Sequence, residues 1–176
     1  RRTAESVLLA RRDGLATEAV AAVLTVLQEG YDLSRSVSHR LIEELNLGSR
    51  VFSAAYGVEA WQNCEGYLGT RDQPALSQEA RDRLSAWRSS PAHALCVFTN
   101  RPCARPDRKP FAPELELGLR AARLEGYPAI GLGHMIWLAE LRQATHPYAY
   151  LKPSPVHALA ALRRALGDPP EIAAVR

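Results

Sequence analysis

Between Ala94 and Pro102 the chain reads ALCVFTNRP, five apolar residues in a row cut off by Thr-Asn-Arg-Pro. Nothing in that spacing is helical. A short continuous apolar run closed by a polar turn reads as a strand buried on both faces. Such a strand needs a sheet around it and delivers Thr99 and Asn100 at its carboxyl end. In open parallel sheets that end is where ligands bind.

A second signal follows some fifty residues on. Tyr150-Leu151-Lys152-Pro153-Ser154-Pro155 leads into VHALAALRRALG, which has helical spacing, so a lysine stands just ahead of a helix. A hydroxyl on a strand tip and a lysine at a helix start suit the holding of an anion by a neutral donor, a fixed charge and free backbone N–H groups. Phosphate is the anion that best fits this set.

With 176 residues, 47% hydrophobic and 23% charged, the chain can bury a real core in one large or two small domains. Twenty-two basic against nineteen acidic residues leave a net charge of +3, and the arginines lie mostly on helical faces, so nothing argues for nucleic acid. The three cysteines, Cys64, Cys96 and Cys103, lack metal-ligand spacing and imply a reduced, cytoplasmic protein. No apolar run approaches a membrane span, and no signal peptide is visible.

Taken in order, residues 3–27 read as two helices broken at Asp13-Gly14, with Thr17 and Glu18 opening the second. Leu33 to Leu45 is an amphipathic helix with Val37, Leu41, Ile42 and Leu45 on its apolar side and Gly48 as a left-handed terminator. Ser49 to Tyr56 is a short helix ahead of Gly57. Trp61 and Tyr67 are expected to seal a small helical core, the alternative being substrate contact. Ser77 to Trp87 is a further helix capped by Ser77. Residues 1–90 are therefore helix and turn throughout.

Beyond residue 90 the pattern changes. Leu95 to Phe98 forms the first strand, and the loop NRPCARPDRKPFAP brings positive charge beside Thr99, where it either acts on an incoming phosphate or is simply solvated. Pro113 to Leu124 is a helix with Glu114 and Glu116 at its positive end. Ala129 to Leu132 is a second short strand, and Gly133-His134 leads into the helix MIWLAELR. Gly131-x-Gly133 lacks the third glycine and downstream acid of a dinucleotide site. His134, a lone histidine at the sheet's carboxyl edge, reads as a hydrogen-bonded structural residue. Pro155 to Leu166 is the last helix. The expected class is α/β: a partial doubly wound, Rossmann-like parallel sheet preceded by an all-helical segment.

A hydrophobic strand ending in Thr99 and a later Lys152-Pro153 before a helix resemble the second and third motifs of the haloacid dehalogenase (HAD) superfamily, most of whose members are Mg-dependent phosphatases. HAD phosphatases with a helical cap share the order seen here, and the segment from LLARRDGL through HRLIEELNLGSRVFSAAYGV is similar to a subgroup described as resembling histidinol phosphatase. The resemblance implies a cap over residues 1–90 and a partial HAD-like core over residues 91–176. It implies catalytic roles for Thr99, which would donate to a phosphoryl oxygen, and Lys152, which would offset repulsion between an attacking carboxylate and the phosphate. Asn100 and Arg101 would bind substrate, a small phosphorylated metabolite.

The family's attacking aspartate stands in an Asp-x-Asp strand, and this chain contains no Asp-x-Asp. The nearest shape, Arg11-Arg12-Asp13-Gly14-Leu15, places arginine at the nucleophile's position, and arginine cannot attack phosphorus. The absent initial methionine and absent fourth motif after Lys152 lead to the expectation that both ends are missing. The nucleophile and the ligands for the implied Mg²⁺ would then lie outside these residues. The alternatives that follow are a portion of a phosphatase and a noncatalytic HAD-like ligand-binding or interaction protein. Substrate identity and oligomeric state are left open.

Overall fold

Serine side chains set where three of the helices begin. In the computed structural model, which describes residues 18, 19, 21–23, 33, 34 and 36–169, Ser36 accepts from His39 N–H, Ser77 from Ala80 N–H and Ser154 from Val156 N–H. Each satisfies a backbone donor that the first helical turn leaves open. Helix α1 then runs Val37–Leu47, α2 Ser49–Tyr56, α3 Tyr67–Thr70 and α4 Gln78–Ser89. Strand β1 (Val97–Phe98), α5 (Glu114–Ala122), β2 (Ala129–Ile130), α6 (Leu132–Leu141) and α7 (Pro155–Ala165) complete the order. Residues 18, 19 and 21–23 are helical, and the rest of the two helices expected over residues 3–27 lies outside the described residues.

The class is α/β. Strands β1 and β2 pair in parallel, Val97 opposite Ala129 and Phe98 opposite Ile130, with α5 in the crossover. Both strands are shorter than expected. Leu132 already donates its N–H to the Arg101 carbonyl as α6 begins, so β2 stops at Ile130 and leaves β1 two residues of ladder. Nor is β1 buried on both faces, since Phe98 is 42% exposed. Among the described residues β2 is its only strand neighbour.

Two apolar clusters hold the chain together. Ile130, Met135, Leu138 and Ala160 form one, with Trp137, Leu151 and Val156 packed against it, so α6 and α7 close over β2. Leu47, Phe52 and Ala112 form the other, joined by Tyr56, Leu68 and Leu117. This second cluster crosses from the helical residues to the loop before α5 and to α5 itself.

The α1–α2 hairpin departs from its expected packing. Val37, Ile42 and Leu45 are exposed, whereas Glu43, Glu44 and Leu47 are buried. Glu44 faces inward because its carboxylate accepts the N–H groups of Trp61 and Gln62 and the Arg40 Nε–H, and these bonds hold its pKa low despite burial. Trp61 and Tyr67 do not seal this core: both are more than half exposed, and Phe52 fills the position instead. Trp61 lies against the Arg40 guanidinium, 4.0 Å from its ring centroid. Gly48, at φ 79°, ends α1 and lets the chain pass against Gly66; a Cβ on Gly48 would meet Gly66 N at 2.4 Å.

Among the described residues, no helix is long and apolar enough to cross a membrane. All three cysteines are free.

Candidate functional site

The loop after β1 is fixed by the helices it feeds. The Pro102 carbonyl accepts from Leu115 N–H at the start of α5, and the Arg101 carbonyl accepts from Leu132 N–H at the start of α6. Two helix N-termini thus pin residues 101 and 102 by their backbones. Gly131 and Gly133 permit this approach: a Cβ at Gly133 would stand 2.1 Å from the Cys103 carbonyl oxygen, and one at Gly131 2.8 Å from Cys103 Sγ. The Gly-x-Gly pair therefore serves close packing of backbone on backbone.

Side chains at the strand end alternate between faces, as a pleated strand requires. On the α7 side, Lys152 N–H donates to Asn100 Oδ1 at 3.3 Å, and Lys152 Nζ donates to the Phe98 carbonyl at 3.1 Å. The ammonium also stands 4.4 Å from the Phe98 ring centroid. His157, on the first turn of α7, is fully buried and meets the Phe98 ring edge-on with centroids 5.6 Å apart. Burial and then the Lys152 charge push its pKa below the ordinary imidazole value.

On the α5 side, Thr99 and Arg101 line a cavity of about 330 Å³ walled by Val97, Leu115, Leu119 and Leu124. Thr99 Oγ1 accepts from Arg101 N–H at 3.1 Å. Arg101 Nη1 and Nη2 both donate to Asp72 Oδ2 at 3.2 Å, and Asp72 lines the same cavity. The fold thus brings Lys152 and Asn100 together, and Thr99 and Arg101 together. Lys152 is not among the residues lining the cavity that Thr99 lines. A cavity of about 540 Å³ near Gly48, Gly66 and Leu117 holds none of these four.

The basic loop is solvated only in part: Arg108 and Lys109 are exposed, but one of its arginines is held inward by carboxylates. Arg105 is buried, with Nε and Nη2 donating to the two oxygens of Asp107 and Nη1 and Nη2 to those of Glu140, at 2.6 to 2.9 Å. Lys109 Nζ donates to Glu140 at 3.1 Å. The bonds from Arg105 hold Asp107 down at about 2 and keep Glu140 below the usual carboxylate range. The Arg105 charge is therefore already met by carboxylates within its own surroundings.

His134 is hydrogen-bonded, as expected of it, but its pairing with Cys103 was not legible, and neither was His157. Cys103 Sγ lies 3.0 Å from His134 Nδ1, which also accepts from Gly131 N–H at 3.3 Å. Burial pushes the Cys103 thiol up to about 11, away from the direction that activates a thiol, and Cys103 packs closely against Gly131 and Gly133. His157 gave no signal beyond its place after Lys-Pro-Ser-Pro-Val. Among the described residues no group of three or more His, Cys, Asp or Glu could hold a metal ion.

No family model, no curated protein and no solved structure matches the chain.

Proposed function

We propose that the chain is a portion of a HAD-type phosphatase acting on a small phosphorylated metabolite, its attacking aspartate outside residues 1–176. The observation that carries the reading is the meeting of Lys152 with Asn100 and the Phe98 carbonyl at the carboxyl end of a parallel strand. Those positions resemble the second and third family motifs, and they come from segments more than fifty residues apart. In this reading Lys152 leaves the Phe98 carbonyl to neutralise charge on the phosphoryl group, while Thr99, which lines a cavity on the other face of the strand, would have to turn toward Lys152 to donate its hydroxyl proton to a phosphoryl oxygen. Mg²⁺ in such enzymes offsets the phosphate's negative charge. The helical residues would act as the cap and the sheet as part of a Rossmann-like core.

The test begins with the reading frame around these residues. An upstream strand ending in Asp-x-Asp is expected, with Mg-dependent turnover of para-nitrophenyl phosphate by the longer chain and none by residues 1–176 alone. Lys152→Ala in the longer chain should lower turnover about 100-fold to 1,000-fold. A complete frame without the Asp-x-Asp strand would favour the second reading, a noncatalytic HAD-like binding protein. That alternative draws support from the lack of any Asp-x-Asp within the chain and from the Lys152 ammonium already being engaged.

A further inference from the structure

The cavity on the α5 side has a composition of its own. Its walls are aliphatic, and its polar groups include the Thr99 hydroxyl, the Arg101 guanidinium and the Asp72 carboxylate. Its volume, about 330 Å³, falls at the small end of ligand sites, where an apolar lining with a few convergent polar groups is the usual form. Part of the space comes from Gly118 on α5: a Cβ built there meets nothing within 4 Å.

Arg101 is incompletely used. Both terminal nitrogens converge on one oxygen, Asp72 Oδ2, so the two-oxygen fork that guanidinium makes best is not formed. The pair is also wet, with side-chain exposures of 45% and 36%, and such pairs hold weakly. Thr99 Oγ1 accepts from Arg101 N–H and retains its own proton to donate. Arg101 is the one cationic residue lining this cavity, which suits a monoanion. The anion already on it is a carboxylate.

We infer that this cavity binds a small organic monocarboxylate with an apolar body, and that Asp72 is the internal occupant which such a ligand displaces from Arg101. The ligand's two oxygens complete the guanidinium fork, Thr99 donates to one of them, and the apolar body lies along α5 beside Gly118. Glu114 lies within electrostatic reach of both Arg101 and Asp72, so a second full negative charge is disfavoured. Asp72 stays tethered beside the cavity, so a monocarboxylate adds a single negative charge there, against which the completed fork on Arg101 and the Thr99 donor must act. The Asp72 contact also ties the segment after α3 to the loop after β1, so ligand entry releases that tie. The site does not include Lys152 and its anchor is Arg101, but it shares the Thr99 hydroxyl with the phosphoryl reading above.

Ligand-observed NMR titration of the 176-residue chain with phenylacetate tests this. Saturation transfer to the ring protons is expected, with affinity raised about fivefold in Asp72→Asn, which removes the competing anion, and lost in Arg101→Ala. Gly118→Leu should fill the cavity and abolish transfer without lowering the unfolding temperature. Absence of transfer in the wild type, equal affinity in Arg101→Ala, or tighter binding of phenylphosphonate than of phenylacetate would each overturn the inference. The Asp72 and Arg101 variants decide the matter even if Gly118→Leu folds poorly.

Discussion

Arg105 shows how a residue's role depends on partners remote in sequence. Its positive charge and its proline-rich loop were legible; its pairing with Glu140, 35 residues further on, was not. Because Arg105 is buried and meets two carboxylates by two hydrogen bonds each, Arg105→Ala should cost about 1.5–3 kcal/mol in denaturant unfolding. Asp107 adds a pH signature. Its pKa is depressed from 3.8 to about 2, so its contribution is fully present above pH 3.8 and is lost as pH falls through about 2. Acid titration of stability should show this loss in the wild type and not in Arg105→Ala. Glu44 carries the same lesson: the loop N–H groups of Trp61 and Gln62, seventeen and eighteen residues further on, draw its carboxylate inward.

At the level of elements, signals carried within a few residues were readable and those set by neighbours were not. Helix Ser49–Tyr56 has the expected bounds, and Ser77 caps α4, because caps and terminating glycines act over a single turn. Strand length depends on what lies alongside, and β2 yields to α6 once the 101–103 loop presses on Gly131 and Gly133. Two glycines on helices should therefore respond oppositely to the same substitution. Gly133→Ala meets the Cys103 carbonyl and should destabilise by about 1–3 kcal/mol, whereas Gly118→Ala enters open space on α5 and should stabilise by about 0.5–1 kcal/mol. Urea midpoints of the two variants against wild type check the pair, and equal shifts would contradict it. The Gly-x-Gly spacing itself was visible in the sequence, but the backbone it accommodates was not.

For the molecule as a whole, the α/β class was legible from the switch between helical and short apolar patterns, while the surface was not. The outer side of α7 presents Leu159, Leu162 and Leu166, all more than half exposed, at helical spacing. Together with the exposed Phe98 on a strand that has one neighbour among the described residues, they lead to the prediction that residues 1–176 self-associate. Sedimentation at rising concentration should show association in the wild type and its suppression by Leu159→Lys with Leu162→Glu, with stability changed by no more than about 0.5 kcal/mol per site. A wild-type chain that stays monomeric at every concentration would contradict this. The apolar cluster that Leu47 and Phe52 share with Ala112 and Leu117 has a mechanical consequence. The α1–α2 hairpin and α5 share one apolar seam, so any swing of the helical residues over the sheet would have to carry α5 with it or break that seam.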